Sequence, residues 1–320
     1  MSRKIVSLGR ILLSALTISL LSFSSFSQVQ LREALDFDGD QKADFSIFRP
    51  SDNTWYIMGT TGSYTAQQWG IANEDGLVPG DYDGDNKADI AVFRETTGVW
   101  YVLKSSDSTF SAVGWGAEGD VPVARDYDGD GTTDIAIVRS SGGYLYWWIL
   151  KTTGGYRVEQ WGLDTDFAAP GDYDGDGKFD LCVQRPGATP TSPAFFYILG
   201  SQLGYFGYQW GISTDFSVPG DYDGDGKTDI AIVREGALAT DNIVWWILRS
   251  DGQGYMAQPF GLSGPDFTAQ ADYDGDGRTE IGVWRQTDGQ FYALNPTTGV
   301  LTQAYWGKAG DIPVATYDTH

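Results

Sequence analysis

The chain has 320 residues, 41% hydrophobic and 14% aromatic, which is ample for a large core and excludes disordered and small disulfide-stapled classes. Its 43 Asp and Glu against 21 Lys and Arg give a net charge of −22, so nucleic acid, whose phosphates such a chain repels, is not an expected partner. The only Cys (Cys182) forbids an internal disulfide, and the only His ends the chain, which removes His-based catalysis and His-ligated metals from the fold.

Arg3, Lys4 and Arg10 open the chain, residues 11–23 are mostly apolar, and Ser25-Phe26-Ser27 follows. Residues 1–27 therefore read as a secretory signal peptide. The apolar run is too short to span a bilayer comfortably. Residues 28–320 are expected outside the cell or in the periplasm, without membrane insertion, as one domain and as a monomer.

From there the chain repeats itself. The string Asp-aromatic-Asp-Gly-Asp begins at Asp36, Asp81, Asp126, Asp172, Asp221 and Asp272, at spacings of 45, 45, 46, 49 and 51 residues. Thirteen positions after each first Asp stands an Arg: Arg49, Arg94, Arg139, Arg185, Arg234 and Arg285. An aromatic pair comes next, as in Trp55-Tyr56 or Phe196-Tyr197. An aromatic-Gly follows, Trp69-Gly70 through Trp306-Gly307, and then one more Asp: Asp75, Asp120, Asp166, Asp215, Asp266 or Asp311.

In the second repeat this spacing predicts four short strands: A over 77–80, B over 89–94, C over 99–103 and D over 110–115. Gly, Ser, Thr and Asp occupy the turns, as hairpins require. Radial repetition of such units makes an all-β propeller. The first repeat lacks a strand A, and 311–316 supplies one, which predicts six blades closed by the C-terminal strand. Seven blades are the alternative.

Each acidic loop places carboxylates at positions 1, 3, 5 and 9. They are Asp36, Asp38, Asp40 and Asp44 in the first; Asp81, Asp83, Asp85 and Asp89 in the second; and Asp126, Asp128, Asp130 and Asp134 in the third. Asp172, Asp174, Asp176 and Asp180 follow, then Asp221, Asp223, Asp225 and Asp229, then Asp272, Asp274, Asp276 and Glu280. Alternate residues of a tight loop converge on one centre, the position-4 Gly allows the chain to wrap it, and hard oxygen donors suit Ca²⁺. Up to six ions are expected. The EF-hand's Glu at position 12 is missing.

These loops, set in blades that carry an aromatic-Gly, resemble the FG-GAP repeats of integrin α-chain propellers, and more closely the secreted bacterial FG-GAP/VCBS-type repeat proteins. The resemblance covers about residues 30–320. It implies a calcium-binding propeller used for binding or adhesion. The chain departs from the integrin pattern in having six repeats.

Alternating strands segregate the connections. A–B and C–D turns share one face; B–C and D–A connections share the other, with the six Arg and the six Asp that follow the aromatic-Gly. Two readings of that ring stand: repeated salt bridges, or a ligand face of Arg and Trp. Extra length falls in the B–C connections 186–194 and 235–244. The aromatic-Gly rings are expected between blades, and Cys182 in the core. The expected function is a non-enzymatic binding module for a glycan or an extracellular protein. A calcium-dependent polysaccharide lyase or hydrolase is the alternative.

Overall fold

The computed structural model of the protein describes residues 34–315. The expected signal peptide, residues 28–33 and the last residue of the expected closing strand lie outside the described residues. Twenty-four strands form six antiparallel four-stranded sheets in a ring. Blade 1 holds β1 (Phe45–Arg49), β2 (Thr54–Met58) and β3 (Tyr64–Gln68); blade 2 holds β4 (Asp75–Leu77), β5 (Ile90–Arg94), β6 (Val99–Leu103) and β7 (Phe110–Gly114). Blade 3 comprises β8 (Val121–Pro122), β9 (Ile135–Ser141), β10 (Tyr144–Leu150) and β11 (Tyr156–Leu163). Blade 4 comprises β12 (Phe167–Ala168), β13 (Leu181–Arg185), β14 (Pro193–Gly200) and β15 (Gly204–Ile212). Blade 5 comprises β16 (Phe216–Ser217), β17 (Ile230–Arg234), β18 (Asn242–Leu248) and β19 (Tyr255–Leu262), and blade 6 comprises β20 (Asp266–Thr268), β21 (Ile281–Arg285), β22 (Gln290–Leu294) and β23 (Leu301–Tyr305).

The last strand, β24 (Ile312–Pro313), joins blade 1 by pairing Ile47 with Pro313 and Phe48 with Ile312. The blade count is six, and β1 is not left as an open edge.

Two expectations about strand limits need correction. Strand A of blade 2 pairs over 75–77, against Val92, Phe93 and Arg94, and beyond that limit the chain stays beside strand B through the Val78 N–H to Ala91 carbonyl bond at 3.0 Å and the Gly80–Asp89 bridge. The extra residues of blades 4 and 5 are not all loop. Part of them lengthens the C–D hairpins, each of which begins with a register shift, between Pro193 and Phe195 and between Asn242 and Val244. The remainder is tied down by hydrogen bonds from Gly187 N–H to Ser213 Oγ and from Gly236 N–H to Ser263 Oγ.

The alternation of strand C sends each side chain toward one neighbouring blade or the other. The core is accordingly a set of layers between blades. Trp147 and Ile149 of blade 3 meet Leu181 and Val183 of blade 4, while Phe196 and Ile198 of blade 4 meet Ile230 and Ile232 of blade 5. The first aromatic of each pair is buried; Trp55, Trp100, Trp147 and Trp245 are 0% exposed. Cys182 is buried in the same layers.

The aromatic-Gly indoles reach across the seams. Trp69 donates to the Tyr101 carbonyl, Trp115 to Trp148, Trp161 to Tyr197, Trp210 to Trp246 and, across the closure, Trp306 to Tyr56. At the seam between blades 5 and 6 the aromatic is Phe260, which has no N–H to give.

Candidate metal loops

The six acidic loops share one backbone path. Position 4 is a Gly with φ between 75° and 83° in every copy. Position 6 is also left-handed, at Gln41 and Asn86 as well as at four glycines. The sequence reading passed over position 6, although Gln, Asn and Gly there are the residues that tolerate such a φ. The position-4 Gly has a second task. A Cβ on Gly39 would stand 2.9 Å from Lys87 Cε, because the position-7 side chain of the next loop lies across it.

The loops are also joined through the backbone. The N–H of position 8 donates to the position-1 carbonyl of the preceding blade, as in Ala88 to Asp36 at 2.7 Å and Thr228 to Asp172 at 2.7 Å. Ala43 to Asp272, at 2.8 Å, carries this ring across the closure.

Within each loop the carboxylates are held by fixed donors. The position-1 oxygens accept the N–H groups of positions 4 and 6, as Asp81 does from Gly84 at 2.6 Å and Asn86 at 2.8 Å. One oxygen of position 9 accepts the position-2 N–H, as Asp89 does from Tyr82 at 2.9 Å. Position 5 accepts the position-7 N–H, as Asp85 does from Lys87 at 2.9 Å.

The remaining outer oxygens are satisfied from the C–D turn. Thr60, Ser105, Thr152, Ser201 and Ser250 each give their N–H to position 9 and their hydroxyl to position 5. In blade 6 this place is Pro296, which has no N–H. There the Asn295 amide nitrogen lies 3.0 Å from Asp274, 3.0 Å from Asp276 and 3.1 Å from Glu280. One buried side chain thus takes over the work of a whole turn, and it also accommodates the longer Glu at position 9. Sequence reasoning missed these turn residues, which lie about twenty positions from the carboxylates and look like ordinary turn formers.

One oxygen in each of four loops has no donor. Asp38, Asp83, Asp128 and Asp174 each keep a buried Oδ1 without a hydrogen-bond partner. These carboxylates belong to clusters in which a ligand oxygen from each member lies within 4.8 Å of the others. Asp174 is 6% exposed. A buried orphan acceptor facing other acceptors is unfavourable unless a cation satisfies it. The donor set, oxygen alone, fits a metal ion. Burial also raises the carboxyl pKa at position 9, to about 7 in Asp44, Asp180 and Asp229 and to about 8 in Glu280. That is the expected state of a cluster of acids in a poorly hydrated place without a counter-charge.

On the opposite face the six Arg lie in clamps inside their own blades. Arg94 Nε and Nη2 donate to Asp75 at 2.8 and 2.9 Å, and Arg49 binds Asp311 in the same fork. Arg139–Asp120, Arg185–Asp166, Arg234–Asp215 and Arg285–Asp266 repeat it. Each guanidinium also stacks on the second aromatic of the pair, from Tyr56 at 4.1 Å to Trp246 at 5.7 Å. The aspartates accept a further N–H from the D–A connection, such as Leu163 to Asp166 at 2.8 Å. Of the two readings of this ring, the observed contacts are those of a strut.

The chain belongs to the FG-GAP-like repeat family, whose sequence profile matches residues 36–92, 126–183 and 221–283. Each match runs from one acidic loop into strand B of the next blade. No curated protein matches the chain. Similar solved structures include a functionally unknown protein from Desulfotomaculum acetoxidans, 8% identical over 85% of this chain and 99% of that one, with a TM-score of 0.44. A catalytically inactive virginiamycin B lyase from Staphylococcus aureus is 8% identical over 89% and 96%, with a TM-score of 0.47. A protein from Lactobacillus plantarum is 11% identical over 84% and 98%, with a TM-score of 0.41.

Proposed function

We propose that the protein is an exported, calcium-stabilised binding module that presents a rigid propeller surface to a glycan or an extracellular protein and does not turn it over. The observation that carries the calcium reading is the buried, donorless Oδ1 of Asp38, Asp83, Asp128 and Asp174, each among further carboxylates. Oxygen-only donors favour Ca²⁺ over transition metals and over Mg²⁺, which demands octahedral geometry and keeps its waters. Bound there, the ion supplies positive charge that pins the A–B loop against the C–D turn. Affinities at the extracellular end of the range, about 10⁻⁴ to 10⁻³ M, suit a chain whose N-terminal segment reads as an export signal. Binding rather than catalysis is supported by the acids themselves: 24 belong to the loops and six are saturated in the clamps.

Terbium tests this reading. It takes calcium's oxygen sites, and the tyrosine at position 2 of five loops is placed to sensitise its emission. Emission should appear on titration and be displaced by Ca²⁺ well before Mg²⁺. Absence of sensitised emission, or equal displacement by both ions, would sink the assignment.

A further inference from the structure

Blade 4 departs from the repeat at the two positions of strand D that face blade 5. Elsewhere these positions are Thr65 and Gln67, Ser111 and Val113, Arg157 and Glu159, Met256 and Gln258, or Thr302 and Ala304. In blade 4 they are Phe206 and Tyr208, and they line a cleft of about 530 Å³ with Leu203, Lys227 and Arg249. Tyr208 is 48% and Leu203 63% exposed.

The cleft at the preceding seam, between blades 3 and 4, is more polar and also carries cations. Its volume is about 690 Å³, and Lys151, Arg157 and Lys178 line it beside Asp128 and Glu159. Arg157 reaches Glu159 only at 3.5 Å, and the two lysines make no ion pair among the described residues. In a chain of net charge −22, three cations against two acids in one lining is a local excess of positive charge. The two clefts flank the same turn of blade 4: Gly200 and Ser201 border the cationic one, and Leu203 borders the aromatic one.

We propose that these adjoining clefts bind one segment of an acidic polysaccharide. A pyranose stacks its apolar face on the exposed Tyr208 ring, with Phe206, whose ring stands at 84° to it, walling the cleft beside the sugar, and carboxylates or sulfates further along meet Lys151, Arg157 and Lys178. Flat, partly exposed rings offer apolar area at low entropic cost, and fixed cations without tight partners are complementary to a polyanion. The proposal rests on the binding-module reading and gives it a ligand class and a place.

The test is calorimetric titration of the full chain, in millimolar Ca²⁺, with hyaluronan octasaccharide, which alternates uronic acid and N-acetylhexosamine. A neutral chito-oligosaccharide and poly-glutamate of similar length are the comparators. The acidic sugar should bind, weaken as salt rises, and outcompete both comparators. Phe206→Ala and Tyr208→Ala should each weaken it by about tenfold, the scale of an interface anchor. The pair Lys151→Gln with Arg157→Gln should weaken it similarly and flatten the salt dependence. Unchanged melting temperatures show that the variants are folded; all four side chains reach the surface. Equal binding of the neutral sugar overturns the charge argument. Equal binding of poly-glutamate overturns the sugar argument, and indifference to Phe206→Ala and Tyr208→Ala, or no binding of the octasaccharide, overturns the site. Terbium emission reads the metal loops separately, so either reading can fall while the other stands.

Discussion

Deleting residues 308–320 removes the strand that closes the ring, and the structure sets the scale of the loss. Asp311 is 1% exposed at the side chain and its partner Arg49 16%. Stripping the carboxylate from such a pair costs about 3 kcal/mol, the low end for buried pairs because Arg49 keeps some water. Val314 and Ala315, 0% and 3% exposed, add about 2 kcal/mol of lost burial. The ladder between β24 and β1 is lost as well, with about 1 kcal/mol for each bond. The sum is comparable with the whole stability of a typical domain, about 5–15 kcal/mol, and it also bares the edge of β1. Asp75→Ala is the internal control. It breaks the same fork in blade 2, where the chain is continuous, and should cost only the ion-pair share. Thermal unfolding followed by circular dichroism, with light scattering for aggregation, measures both. A truncated chain that melts within about 2 °C of the full chain would refute the closure argument.

Other outcomes follow from individual contacts. Phe260→Trp should supply the missing indole bond to the Tyr292 carbonyl and raise stability by about 1 kcal/mol; a lowered melting temperature would mean that the seam has no room for the ring. Thr152→Ala removes the hydroxyl that lies between Asp130 and Asp134 of the third loop, while its backbone N–H still donates to Asp134, and should weaken one class of calcium site by about tenfold in calorimetry, leaving the rest. In chelator, the folded carboxyls of Asp44, Asp180 and Asp229 titrate at about 7 and Glu280 at about 8. Unfolded carboxyls titrate at about 4, so between these values the folded chain holds more protons and its stability falls as pH rises. The melting temperature of the metal-free protein should therefore be higher at pH 5 than at pH 8, and saturating Ca²⁺ should abolish that slope. A metal-free protein that is more stable at pH 8 contradicts the burial of these acids.

Strands B and C were legible because a fixed distance from the acidic loop combines with strict alternation of buried positions, as in Ile90–Arg94 and Val99–Leu103. The closure was legible because one repeat lacked what the chain end carried. Strand A was not. It is two or three residues long, and its place is set by the Arg–Asp fork at its start more than by its own side chains. The donors that aim the carboxylates were hidden for a different reason. Thr60, Ser105 and Asn295 sit in turns whose composition says only that they are turns, and their relation to Asp40, Asp85 and Asp276 exists only once the A–B and C–D loops share a face. Phe206 and Tyr208 were visible as residues, but they form a cleft only through the seam with blade 5.

The central claim, that the acidic loops are cation sites holding the propeller together, is tested most directly by one calorimetric titration of calcium into chelator-stripped protein, with the melting temperature recorded before and after. The account predicts uptake of several ions per chain in the range of about 10⁻⁴ to 10⁻³ M, tighter where a blade preorganises its loop, and a melting temperature that rises with calcium by mass action. No uptake, with a melting temperature indifferent to chelator, would contradict it and leave the six loops as solvated turns.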